Sequence, residues 1–114
     1  MLLNWGLTMK RILCIGLFVT LCGFAEASSD APQMLQIKQS FEPMNLTVTA
    51  SGSLDFVNMD DVNHNIQVID SKGVRTDLGV EKPGDTTHFS FSGPGAYSII
   101  CGIHPRMKAK VTVQ

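Results

Sequence analysis

The stretch Gly95-Ala96-Tyr97-Ser98-Ile99-Ile100-Cys101-Gly102-Ile103-His104-Pro105-Arg106-Met107 decides how this chain is read. Its first half is a nearly continuous apolar run that follows the turn signal Ser92-Gly93-Pro94-Gly95. A short apolar run bounded by turn residues predicts a buried strand. Its second half reads C-x2-H-x2-M. Cys101 stands at the strand end, and His104 and Met107 follow at three-residue intervals. A tight loop can then turn all three side chains toward one point. Pro105 stiffens that loop by fixing its φ. Gly102 admits backbone conformations that a residue with a Cβ resists.

The segments on either side are also short and alternate with period two. Met34 to Lys38 is a first strand, broken by Phe41-Glu42-Pro43. Asn45 to Ala50 follows, with Leu46 and Val48 on one face, and Ser51-Gly52 is a turn signal. Ser53 to Asn58 points Leu54 and Phe56 inward. Ile66 to Ile69 ends at Asp70-Ser71-Lys72-Gly73. The turn Lys82-Pro83-Gly84-Asp85 leads into residues 86–91, with Phe89 and Phe91 on one face and His88 on the other, toward solvent. Lys108 to Val113 closes the chain, with Val111 and Val113 inward. No long helical pattern, repeat or low-complexity stretch interrupts this series. The fold expected is all-β, a sandwich of about seven to eight strands.

The N-terminus reads differently. Hydrophobic residues make up 44% of the 114 and crowd into residues 1–27. Lys10 and Arg11 precede an apolar run over residues 12–24, and Ala25-Glu26-Ala27 places small residues before Ser28. That is an export signal, with Met9 an alternative start. An uncleaved anchor is the competing reading, but the run is short for a span of about 20 residues. Two of the three cysteines, Cys14 and Cys22, fall inside this leader. The mature domain is expected over residues 28–114, outside the cytoplasm, with Cys101 as its single cysteine and no disulfide. The net charge is −1. That balance excludes a nucleic-acid footprint and a polybasic membrane surface.

Upstream of Cys101, His64 sits in a loop just before the Ile66–Ile69 strand. One thiolate, two imidazoles and one thioether form a soft donor set that suits copper, and a His2Cys plane with a weak axial Met is an electron-transfer copper site. Structural zinc commonly draws on paired cysteines, and iron–sulfur clusters need more of them. A c-type haem needs C-x-x-C-H, and Asp60-Asp61 is thin for calcium. Cys101 and His104 could also be read as a nucleophilic dyad, but no oxyanion-hole or orienting carboxylate pattern accompanies them. Each residue also has a plain reading. Cys101 and Met107 could be core packing, His64 a loop histidine, and the domain a metal-free sandwich for adhesion.

On these residues the chain resembles the cupredoxins, the small blue copper proteins. The resemblance runs from about Phe41 to the C-terminus. It rests on Leu46-Thr47-Val48, on Phe56-Val57-Asn58-Met59-Asp60 leading to His64-Asn65, on Lys82-Pro83-Gly84-Asp85, and on Gly95 through Pro105. The C-x2-H-x2-M spacing resembles the amicyanin branch. Two positions depart from it: Ala109 stands where glycine is common, and Arg106 where that branch has an aromatic residue.

The resemblance implies a Greek-key β-sandwich that binds one copper ion, Cu(II)/Cu(I), in a type 1 site. Its ligands would be His64, Cys101, His104 and Met107. It implies that Asn65 ties the two ligand loops together and that the Asn63 carbonyl approaches the metal from the other axial side. It makes His104, with Pro105 beside it, the electron port. The function implied is a periplasmic electron carrier, monomeric and without a catalytic role. Its partners would be redox proteins such as a dehydrogenase or a c-type cytochrome. Copper delivery or storage is the alternative.

Overall fold

The computed structural model describes residues 31–49 and 52–114. The export-signal reading of residues 1–27 lies outside them. Among the described residues there are nine strands and no helix: β1 (Gln33–Ile37), β2 (Ser40–Glu42), β3 (Asn45–Val48), β4 (Ser53–Asn58), β5 (His64–Ile69), β6 (Arg75–Glu81), β7 (Thr86–Ser90), β8 (Gly95–Cys101) and β9 (Lys108–Val113). They form a four-stranded sheet, β2-β1-β4-β7, and a five-stranded sheet, β3-β9-β8-β5-β6. The chain crosses repeatedly from one sheet to the other after β2. Each crossing hides one face of the next strand against the opposite sheet.

The alternation read from the sequence explains which faces are hidden. Met34, Leu54, Phe56, Ile66, Ile99 and Val111 are fully buried between the sheets. On β9 the pattern is strict: Ala109, Val111 and Val113 point in, and Lys108, Lys110 and Thr112 point out. His88 faces solvent as expected, with its Nδ1 held 2.6 Å from the Asp55 carboxylate. Leu46 is only partly buried beside Val48.

Two strands exceed the seven that the alternation marks. Phe41-Glu42-Pro43 reads as a break, yet Ser40–Glu42 returns antiparallel along β1. The reversal takes two residues, Lys38 and Gln39, at φ 50° and 55°. Positive φ at both central positions is the hairpin turn whose twist matches its strands. It is unusual for non-glycine residues, so no Asn-Gly or Gly-Gly marks it. Strand β6 is unmarked for another reason. It is an edge strand, exposed over most of its length. Leu78-Gly79 bulges opposite Ile66, with Gly79 at φ 87°. A bulge on a solvent-facing strand erases the apolar alternation that marks the others.

Candidate metal centre

Strand β8 carries Cys101 at its C-terminal end, where the side chain is buried. Strand β5 begins at His64, fully buried. The two strands are neighbours, with Ile66 opposite Cys101. That register brings the His64 ring to the Cys101 sulfur although the sequence separates them widely. His104 and Met107 lie on the loop that joins β8 to β9. The Met107 N–H donates to the His104 carbonyl at 3.0 Å, a turn with Pro105 at its second position. The Cys101 N–H donates to the Met107 carbonyl at 3.3 Å and closes the loop on itself.

Three donor atoms converge. Cys101 Sγ lies 3.8 Å from His64 Nδ1 and 3.7 Å from His104 Nδ1, and the two nitrogens are 3.1 Å apart. A triangle with these sides has its centre about 2.1 Å from each corner, the length of a metal–imidazole bond and within a few tenths of an ångström of the about 2.3 Å of a metal–thiolate bond. The site therefore fits one ion in a two-nitrogen, one-sulfur plane. This set, His64, Cys101 and His104, is the single group of convergent His, Cys and acidic side chains among the described residues.

The surroundings fix each donor. The His64 Nε2 faces the Asp60 carboxylate at 2.7 Å, which leaves Nδ1 free to point at the sulfur. That carboxylate also accepts the N–H groups of Lys38 and Gln39, at 2.6 and 2.8 Å. Burial works against the charge on Asp60, but these bonds outweigh it and hold the group below the usual carboxylate range. The Asn65 N–H donates to Cys101 Sγ at 3.3 Å, and the Gly102 N–H donates to the Asn65 carbonyl at 2.9 Å. Asn65 thus ties the two loops through its backbone. Its side chain donates to Asp77 Oδ1 and the Gly79 carbonyl on β6, and its Oδ1 packs against Gly102. Asn63 is exposed just ahead of β5.

The backbone freedom expected of Gly102 is not what the structure uses. Its φ lies outside the left-handed region, so conformational freedom is not why glycine is there. The reason is space: a Cβ would collide with Asn65 Oδ1 and Gln67 Nε2. A buried polar group behind His64 also escapes the sequence reading. Gln36, Asn58 and Glu81 are all buried between the sheets. Glu81 stands opposite His64 in the β5–β6 register. Its Oε2 accepts from Gln36 Nε2, while Glu81 Oε1 and Gln36 Oε1 have no partner. Burial pushes the Glu81 carboxyl up to about 7. Asn58 spans the gap, donating to the Val62 and Glu81 carbonyls and accepting from the Asp60 N–H.

The cupredoxin-like domain family matches residues 11–113. The chain is a cupredoxin. It is similar to amicyanin-alpha of Methylorubrum extorquens, 31% identical over 100 residues that cover 81% of this chain and 82% of that protein. Among solved structures, a reduced Cu(I) amicyanin variant overlays with a TM-score of 0.70 at 23% identity, over 79% of this chain and 88% of that one. The copper-containing nitrite reductase of Thermus scotoductus gives 0.67 at 28% identity over 74% of this cupredoxin, which spans only 22% of the reductase. Membership makes copper the cofactor and electron transfer the class of function. Among the described residues of this cupredoxin, no helix is long and apolar enough to cross a membrane.

Proposed function

We propose that this protein is an exported type 1 copper electron carrier of the periplasm. His64, Cys101, His104 and Met107 would hold the copper, with the Asn63 carbonyl as a further contact. The observation that carries the reading is the triangle of Sγ and two Nδ1 atoms around a single centre. Copper bound there supplies a one-electron Cu(II)/Cu(I) couple, which a thiolate and imidazoles support in both states.

The chain's part is to keep the donors still. His64 is locked by Asp60, and Cys101 by its strand and by the Asn65 N–H. His104 is the ligand nearest solvent, half-buried beside the exposed Pro105. Electrons would enter and leave there. Met107 is buried to 1% exposure and anchored by backbone bonds to both Cys101 and His104. The burial of His64, Cys101 and Met107, and membership of the cupredoxins, support a carrier rather than an enzyme. The basic-then-apolar pattern of residues 1–27 supports export. The partners would be redox proteins such as a dehydrogenase or a c-type cytochrome.

Adding Cu(II) to the purified domain tests this. The expected result is an intense visible thiolate-to-copper band and a reversible one-electron couple, with the band lost in Cys101→Ala. Retention of the band in that variant would refute the ligand assignment. Tight copper binding without a reversible couple would favour delivery or storage instead.

A further inference from the structure

The end of the sandwich that holds the site carries an uneven surface. Of the large hydrophobic side chains that stand exposed, Met44, Met59 and Ile103 belong to loops at this end. Beside His104 a depression of about 220 Å³ is bounded by Ile103 and Arg106. A second, of about 300 Å³, lies between Met44 and the side chains of Lys108 and Lys110. Arg106, Lys108 and Lys110 are exposed, as is Lys38 on the β1–β2 turn. None of the four enters an ion pair among the described residues, where the two pairs are His64–Asp60 and His88–Asp55. Asp60, whose carboxylate binds the β1–β2 turn, is already committed to three donors. Glu42 at the end of β2, Asp61 before β5 and Asp85 before β7 are exposed carboxylates at this end, and Lys82 is a further exposed cation there. The chain as a whole is nevertheless slightly acidic, with a net charge of −1.

From the cluster of unpaired Arg106, Lys108 and Lys110 that follows His104 along the chain, we infer that the face around His104 docks an acidic partner: a redox protein whose own electron port is ringed by carboxylates. The inference rests on the carrier reading. Apolar Ile103 and Met44 give a partner a contact that sheds water. The unpaired cations at its edge steer an anionic surface to the port and repel a cationic one. Arg106 has the strongest influence, because it lies two residues after His104 in the same loop.

Small inorganic oxidants of opposite charge test the inference on the copper-loaded, reduced protein. Ferricyanide, a trianion, and tris(phenanthroline)cobalt(III), a trication, each take one electron, leaving Cu(II) and ferrocyanide or the cobalt(II) complex. The net charge of the protein alone predicts repulsion of ferricyanide, so its rate would rise with salt. The docking face predicts the reverse. Ferricyanide oxidation should slow several-fold as salt screens the attraction between about 0.02 and 0.3 M, where the Debye length drops below 10 Å. Arg106→Glu with Lys108→Glu should slow ferricyanide about tenfold at low salt and speed the cobalt complex. The same charge change on the far side, Lys72→Glu with Arg75→Glu, should leave both rates nearly unchanged. A retained visible band shows that each variant is folded and loaded.

If neither oxidant removes an electron, the carrier reading itself fails. If both react but ferricyanide speeds up with salt, or if the distal variant changes the rates as much as the proximal one, the docking inference is overturned and the carrier reading survives. A second readout needs no copper. In the metal-free protein, the paramagnetic trianion hexacyanochromate(III) should broaden the amide signals of Arg106, Lys108 and Lys110 first. Broadening spread evenly over the surface would count against the docking face.

Discussion

The Asp60 carboxylate stands 2.7 Å from His64 Nε2 while the N–H groups of Lys38 and Gln39 bind the same carboxylate. A hairpin turn between two strands of the four-stranded sheet thereby orients a ring on the first strand of a hairpin in the five-stranded sheet. The turn's positive φ angles point both N–H groups the same way, and only a charged, two-oxygen acceptor satisfies them together with the ring. Asp60→Ala should leave His64 free to rotate and should weaken copper binding by roughly 10–100-fold, the usual cost of losing such an orienting partner. Competition against a chelator of known affinity measures this. Wild-type affinity in the variant would mean that the pocket walls, and not the carboxylate, set the ring.

Gly102 offers a test of space. A Cβ there would overlap Asn65 Oδ1 and Gln67 Nε2, which hydrogen-bond each other at 2.7 Å. Gly102→Ala should therefore push Asn65 aside and disturb the N–H that Asn65 gives to the Cys101 sulfur. The expected loss is about 1–3 kcal/mol of stability in the metal-free protein, the range for inserting a methyl group where none fits. Chemical denaturation reads it. The copper-loaded variant should also shift its visible band, because the sulfur loses a hydrogen-bond donor. A variant as stable as wild type would show that the Asn65 side chain moves away at no cost.

Much of the fold and of the site is legible in the sequence, and the limits have physical causes. Strands β4, β8 and β9 bury one face against the other sheet, so Leu54, Phe56, Ile99, Val111 and Val113 imprint a period of two on the sequence. Cys101 ends β8, and His104 and Met107 follow on the next loop, so their spacing is visible directly. His64 is recognisable by residue type together with its place before a strand. Asp60 is not recognisable as its partner, because an i,i+4 relation in an irregular loop carries no signal outside a helix. Glu81 stays hidden because β6 is a bulged edge strand, where a buried acid looks like one more exposed polar residue.

Phe41 shows what the unmarked strand β2 contributes. The sequence places it in a chain break before Pro43, yet the side chain is fully buried in the core cluster. Phe41→Ala should cost about 3–5 kcal/mol, as removal of a buried aromatic ring does. Equilibrium unfolding in urea measures it. A loss under about 1 kcal/mol would place this ring outside the cooperative core.

Glu81 makes stability depend on pH in a definite direction. An ordinary glutamate titrates near 4.5, but burial raises Glu81 to about 7, helped by the nearby Asp85 and opposed by the Gln36 and Asn58 bonds. Between these values the unfolded chain has released the proton and the folded one still holds it. Folding is then linked to proton uptake, so its contribution is fully present below about pH 4.5, falls as pH rises and is lost above about 7, a change of up to about 3 kcal/mol. Glu81→Gln removes the titration. Its carbonyl can still accept from Gln36 Nε2, and its amide can supply a donor that the partnerless Gln36 Oε1 lacks. In the metal-free protein this variant should be more stable than wild type at pH 8, nearly equal to it at pH 4.5, and should lack the decline between. Denaturant midpoints across that range decide it. Parallel pH profiles for the two proteins would mean that Glu81 is already ionised in the fold at low pH, and that the buried group is satisfied in some other way.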